Sequence, residues 1–399
     1  MRRLSSENGA VLLHVIVAMI LLIGINTFVI DYGVMWVGRN QAQNSADAGA
    51  MAGAIALAYD NWSNRTDSGP AKTFAYQATQ QNWIWGKVPA LSITNDVTFP
   101  TVPADQCADT SCVRVNVYRN VPAGNPLPAL FGGAIGLTTQ GVRAMAVARA
   151  AAANASDCLK PWAIPDKWTE IYPTPKPWDL NSQFDIADKK GVPLPNPDVY
   201  VAPTDTDPGT GFDVRYDIGL KVTLKYGNPQ DSPAPGVFLP IDLPNASGDP
   251  EVGGANYRAA IAGCNGVAVG KTDSLSVENG NMVGPTKQGV DALIAKDPNA
   301  TWDSTSKKVI NSCAQAGTPC AARSPRIVAI PVYDTLAYEQ GKQNGNVNVK
   351  LVNILGFFID KMQGNDVVGY FTNVPGLFVA GKGSVGVNSG FAKVIMLVR

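Results

Sequence analysis

The chain has 399 residues, with 32 Lys and Arg balanced against 32 Asp and Glu, and only 16% of its residues are charged. That balance leaves no electrostatic footprint for nucleic acid, and no run of like charges marks a polyanion-binding tail. The length accommodates two soluble domains beside any membrane anchor.

The first element is Ala10–Ile30, a nearly continuous apolar run of 21 residues, against about 20 needed to cross roughly 30 Å of hydrocarbon. Only His14 and Asn26 in it are strongly polar. A cleaved secretory signal would have a shorter core, about 7–15 residues, closed by a small-residue cleavage site. This run instead leads into Asp31-Tyr-Gly-Val-Met-Trp36 without an Ala-x-Ala near its end, which predicts a retained transmembrane helix. Arg2 and Arg3 ahead of it favour a cytoplasmic N-terminus, and Tyr32 and Trp36 suit the far headgroup zone. No proline interrupts Ala10 to Tyr59, so one helix about 75 Å long is expected, half of it clear of the bilayer. That upper half carries Gly49-x-x-x-Gly53 and the ladder Ala42, Ala46, Ala50, Ala54. Small residues four apart let backbones approach closely. Ala46, Gly49, Ala50 and Gly53 are therefore candidate helix-packing residues, facing either a homo- or hetero-oligomeric partner or the chain's own globular domain.

A turn-rich stretch, 61–70, precedes a helix expected over Ala71–Trp83. Leu91–Phe99 and Val113–Val121 alternate as strands, with Val113, Val115 and Val117 on one face. Pro126–Leu137 reads as a short helix and Thr138–Ala151 as a long returning strand. Beyond that the composition shifts, with 16 prolines between Pro161 and Pro250, a density that favours turns and edges. Strands are expected at Tyr216–Tyr226, Gly236–Leu243, Arg326–Tyr333, Val347–Asp360 and Phe391–Val398. Helices are expected at Ala255–Ala262 and at Pro285–Lys296, bounded by Pro285 and Asp297-Pro298. The predicted fold class is α+β: a long N-terminal transmembrane and stalk helix on a small antiparallel sheet, followed by a β-rich, loop-heavy second domain. The expected boundaries are a cytoplasmic tail at 1–9, the span at 10–30, a stalk and pilin-like domain at 31–153, and an extracytoplasmic domain at 154–399.

All six cysteines, Cys107, Cys112, Cys158, Cys264, Cys313 and Cys320, lie outside the span. Six allow 15 pairings. Cys107 with Cys112 and Cys313 with Cys320 are close enough in sequence for local loops, which leaves Cys158 with Cys264. With no C-x-x-C and no histidine beyond His14, disulfides in an oxidising compartment are a better reading than zinc.

Catalytic chemistry is thin. His14 sits in the span, which excludes Ser-His-Asp and Cys-His arrangements from the soluble part. The acidic loop Asp205-Thr-Asp-Pro-Gly-Thr-Gly-Phe-Asp213 lacks the spacing and terminal Glu of an EF-hand and reads as a solvated turn. Gly270-Lys271-Thr272 copies the close of a Walker A loop, but Asn265 stands where its earlier glycine is required. The five Asn-x-Ser/Thr sequons at Asn61, Asn64, Asn154, Asn245 and Asn299 matter only in a glycosylating secretory pathway. No catalytic, cofactor-binding or metal-binding residue is assigned.

Three stretches in order, Gly9-Ala-Val-Leu-Leu13, Val29-Ile-Asp-Tyr-Gly33 and Gln43-Asn-Ser-Ala-Asp-Ala-Gly-Ala-Met-Ala-Gly-Ala54, resemble the TadE/TadG-like family of tight-adherence (Flp-type) pilus proteins. Cys158-Leu-Lys-Pro-Trp-Ala-Ile-Pro165, Gly284-Pro-Thr286 and Asp297-Pro-Asn-Ala-Thr-Trp302 are similar to its long TadG-type members. The resemblance implies a bacterial inner-membrane anchor, a periplasmic body, contacts with the bilayer and with other pilus or envelope proteins, and a part in pilus biogenesis or surface attachment. Processed pilins of this kind carry Glu five residues after the cleavage glycine; here His14 and Val15 follow Gly9 at those positions. The resemblance thus points to an unprocessed anchor or accessory subunit. Two other classes remain: a surface adhesin using Pro-rich loops and exposed aromatics such as Trp168, Tyr172 and Trp178, and a membrane-tethered hydrolase using paired carboxylates.

Overall fold

The computed structural model describes residues 7–107, 110–188, 190–278, 280–313, 323–343 and 348–398. The chain divides into two compact units, Met1–Ala150 with Ile395–Arg399, and Ala151–Val394. The second unit therefore stops short of the chain terminus expected for it, and the last residues belong with the first.

The N-terminal unit is built on helix α1, Glu7–Tyr59, which runs unbroken for 53 residues. Helix α2, Pro70–Gln81, starts with proline in its first turn and buries Ala71, Ala75 and Thr79, a spacing of four that makes one face. It ends two residues before the expected Trp83, where Asn82 turns extended and its side chain donates back to the Ala78 carbonyl at 2.8 Å. The sheet pairs β1, Val97–Thr98, with β2, Cys112–Arg119, and β2 with β5, Val142–Ala152, all antiparallel. From Ile395 onward, the chain's last strand, Ala392–Val398, belongs to this unit too. Val113, Val115 and Val117 are fully buried against α1 and α2, as their alternation predicts.

Two local expectations need correction. Most of Leu91–Phe99 is not strand. Ser92 accepts from the Asn95 amide at 3.3 Å, while Asp96 accepts from the Ser92 amide at 2.7 Å. These reciprocal bonds close a helical turn at Ile93–Asp96 and leave only its end extended. Pro126–Leu137 is a hairpin rather than a helix: β3, Leu127–Pro128, pairs with β4, Thr139–Gln140, around a 3-10 turn at Gly132–Ile135. Two prolines and the pair Gly132-Gly133 deprive that segment of helix-forming residues.

The second unit centres on a mixed sheet that closes on itself. Its strands are β6 (Trp162–Pro165), β7 (Lys221–Tyr226), β8 (Val237–Pro240), β9 (Ser274–Leu275), β10 (Ile327–Tyr333), β11 (Val349–Gln363) and β12 (Asp366–Thr372). The closed order is β11-β10-β6-β8-β7-β12 and back to β11, with β9 as a side branch on β11. Closure removes the exposed edges that a Pro-rich chain would otherwise have to protect. Both faces are covered: Val328, Ile330 and Val332 enter one apolar cluster while Ala329 enters another. This is why β10 and β11 read as near-continuous apolar runs rather than alternating ones. Helices α3 (Gly254–Ala262) and α4 (Val283–Lys296) add Tyr257, Ile261, Val290 and Leu293 to the first cluster. Strands β6 and β12 and helix α5, Thr335–Gln343, carry no clear signal in the sequence. On β12, a Cβ at Gly369 would lie 2.2 Å from the Phe358 carbonyl oxygen, so glycine is what lets that strand approach β11.

Candidate functional site: the N-terminal helix and the hairpin beside it

Helix α1 has two surfaces in succession. From Val11 to Val29 its described apolar side chains are exposed, Phe28 reaching 69%. From Ala42 upward the pattern inverts, and Ala42, Ala46, Ala50 and Ala54 have no exposure at all. Among the described residues α1 is long and apolar enough to cross a membrane, with none of its most apolar window buried by protein.

The small residues of the upper half sit against α2 and β2 of their own unit. A Cβ at Gly49 would fall 2.2 Å from Thr79 Oγ1 and 3.1 Å from the Ala75 carbonyl oxygen. One at Gly53 would fall 2.8 Å from Val113 Cγ1 and 3.0 Å from Ala75 Cβ. Ala46 and Ala50 pack in the same cluster with Ala71, Ala75 and the β2 valines. Ser45 seals the contact by donating its buried hydroxyl to the Thr79 carbonyl at 3.1 Å. Helix-to-helix approach at this stripe is thus achieved within the chain.

Between the two halves stand Asp31 and an aromatic ladder. Phe28 stacks on Tyr32 at 5.7 Å, and Tyr32 lies 6.5 Å from Trp36. Asp31 receives the amides of the β3–β4 turn: Leu130 at 2.6 Å on Oδ1, Gly132 at 2.6 Å on Oδ2, and Phe131 at 3.2 Å on both. Three backbone donors converge on one carboxylate, the arrangement that binds anions at helix N-termini. The sequence marks Asp31 as the first charged residue after the apolar run but does not reveal its partner, which lies about 100 residues away. The available signal was the absence of any charged residue from Val121 to Gly141.

The structure joins Cys107 to Cys112 and Cys158 to Cys264. For the third pair, Cys313 is disulfide-bonded, while Cys320 lies outside the described residues. Arg2 and Arg3 lie outside them as well.

In the second unit the aromatic residues named for adhesion need correction. Trp168 is buried, edge-on to Phe184 and Trp178, and its indole N–H donates to Glu170 at 3.0 Å. Trp178 and Tyr172 are half-buried. In the acidic loop, Asp207 accepts from the Gly209 amide at 2.9 Å and Asp213 pairs with Arg215, so both carboxylates serve local turns. Lys271 donates to the Ser384 carbonyl rather than standing over a phosphate cradle. Buried ionisable groups do exist here. Burial pushes Asp166 up to about 7 despite bonds from the Phe212 and Lys167 amides. Burial and then the neighbouring Glu278 raise Asp242. Lys160 is lowered to about 7 by burial, with Lys296 adding to it. A cavity of about 360 Å³ lies beside the Cys158–Cys264 bridge, lined by Lys160, Lys296 and Arg323. Neither Asp242 nor Glu278 lines it.

An exposed apolar helix thus becomes, without a break, the packed spine of a small α+β unit. Residues 9–56, the same segment, match the family described as "Putative Flp pilus-assembly TadE/G-like", so the chain is TadE/G-like in its N-terminal part. No curated protein and no solved structure matches the chain.

Proposed function

We propose that this protein is a single-pass, membrane-anchored, non-catalytic subunit of Flp-type pilus assembly, of the long TadG type. The observation that carries the reading is that the TadE/G-like match and the two-surfaced helix coincide. Large apolar side chains face outward on the lower half, where lipid would be the solvent. Small ones face inward on the upper half, where the protein is. The N-terminus lies in the cytoplasm and both folded units lie across the inner membrane, a compartment that supports disulfides. His14 at the position where a processed pilin carries Glu makes this a stationary part of the apparatus, in contact with other pilus or envelope proteins.

Fractionation with intact-mass analysis of the native protein tests this. A membrane-bound, full-length species with six oxidised cysteines is expected. Recovery from sheared pili with a new N-terminus at Ala10 would overturn it.

A further inference from the structure

The hairpin β3–β4 runs alongside α1, and its geometry gives it a direction. Its root is at Leu127, fully buried, whose Cδ1 sits 2.8 Å from where a Cβ on Gly38 would be. Its turn is held at Asp31 by the three amides described above. Leu137, on the far arm, lines a cavity of about 230 Å³ together with Ala129, Gly24 and Phe28. From Gly38 to Gly24 is 14 residues, or about 21 Å along the axis. The hairpin therefore lies along the helix from Gly38 to Asp31, and Leu137 on its far arm shares a cavity with Gly24 and Phe28 of the apolar run.

Its surface matches that position. Leu130, Phe131 and Leu137 are exposed at 54%, 46% and 60%, large apolar groups at the tip of a hairpin with no charged residue nearby in sequence. Leu137 lines the same cavity as Phe28 and Tyr32, both exposed on α1. An exposed apolar patch of this kind marks a contact surface. The backbone is suited to an apolar medium, where unpaired amides are costly. The amides of Leu130, Phe131 and Gly132 are taken by Asp31, that of Leu137 by the Gly132 carbonyl at 2.8 Å, and that of Ala129 by the Thr138 carbonyl at 3.2 Å.

We propose that the hairpin tip, Leu130, Phe131 and Leu137, inserts into the outer leaflet of the bilayer, latched there by Asp31. The occupant of the patch is lipid, because the patch continues the lipid-facing surface of the helix and lies at the same depth. Interfacial elements bury about 5–10 Å into the headgroup and acyl boundary. The tip makes a second membrane contact beside the span and resists rotation of the N-terminal unit about the axis of α1.

The inference rests on the anchor reading, and the test separates the two. The full-length protein, its native cysteines left oxidised, is labelled with an environment-sensitive fluorophore at Leu137→Cys, Leu130→Cys, Phe28→Cys or Ile55→Cys. It is then placed in phosphatidylcholine–phosphatidylglycerol vesicles containing lipid spin-labelled near the headgroup. Quenching at Leu137→Cys and Leu130→Cys is expected to approach that at Phe28→Cys and to exceed that at Ile55→Cys several-fold. If only Phe28→Cys is quenched, the hairpin insertion is wrong and the anchor stands. If Phe28→Cys is not quenched, both fail. Disulfide-linked dimers of the unlabelled Leu137→Cys variant, with no lipid quenching of the labelled one, would assign the patch to a second copy and overturn the proposal. Adding Asp31→Ala should bring Leu137→Cys down toward the Ile55→Cys level while Phe28→Cys is unchanged; no change at Leu137→Cys would refute the latch.

Discussion

The lower and upper halves of α1 are both apolar and both helical, yet they are solved for different neighbours. Below Asp31 the surface is Leu, Ile, Val and Phe pointing outward; above it the buried stripe is Ala and Gly. Large side chains facing out maximise contact with a fluid medium that conforms to them. Small ones facing in allow a rigid neighbour to come close. Side-chain size, rather than hydrophobicity, therefore tells which part of this continuous apolar helix is left exposed and which packs against its own unit.

That contrast can be broken most forcefully at the middle of the span. Ile20→Arg should reduce membrane retention by about 3–4 kcal/mol of insertion free energy, read as a shift of the protein from the membrane to the soluble fraction. The upper half should keep its fold in the variant. Next comes Gly49→Leu, where the added side chain meets Thr79 and the α2 backbone. Overpacking of this kind costs about 1–3 kcal/mol or more, and it should lower the melting temperature of the purified protein without changing membrane retention. A matched pair sharpens the comparison further. Ala46→Leu should destabilise by about 1–3 kcal/mol, whereas Leu22→Ala, the reverse change two-thirds of the way along the span, should alter stability by less than about 1 kcal/mol. Equal effects from the two would remove the distinction between the halves.

The smallest expected effect contrasts the second unit with the first. Asp166 takes up a proton on folding, since its carboxyl moves from 3.8 to about 7. Its contribution is present in full below pH 3.8 and is lost as pH rises through 7. Lys160 acts with the opposite sign. Its amine falls from 10.5 to about 7, so its contribution is present above pH 10.5 and lost as pH falls through 7. The second unit should therefore be least stable near neutrality, with its lowest melting temperature there. Asp166→Asn, which keeps the acceptor shape, should flatten the slope between pH 4 and pH 7 by about 2–4 °C, measured by calorimetry across that range.

Much of this architecture is legible in the residues because it depends on local patterns. A nearly continuous apolar run of 21 residues makes a helix long enough to cross a membrane, unbroken helix formers carry it onward, and Val113, Val115 and Val117 alternate into a strand. The second unit is less legible, for a physical reason. Its β10 and β11 are covered on both faces, so period-two alternation is erased, and β12 contains a glycine needed only because Phe357 and Phe358 lie across from it. Trp168 misled because composition favours aromatics at binding surfaces, and burial among Phe184 and Trp178 is decided by distant segments.

The sequence by itself determined that this chain has an apolar helix long enough to cross a membrane, a helical stem, paired cysteines and no histidine-based chemistry, since each follows from residue identity and short-range spacing. Only the tertiary structure decided what the small-residue stripe touches, how the barrel-like sheet closes, and that Asp31 holds a hairpin about 100 residues away. Those are contacts between segments far apart in the chain. Their free energy comes from shape fit and convergent hydrogen bonds that no local pattern encodes.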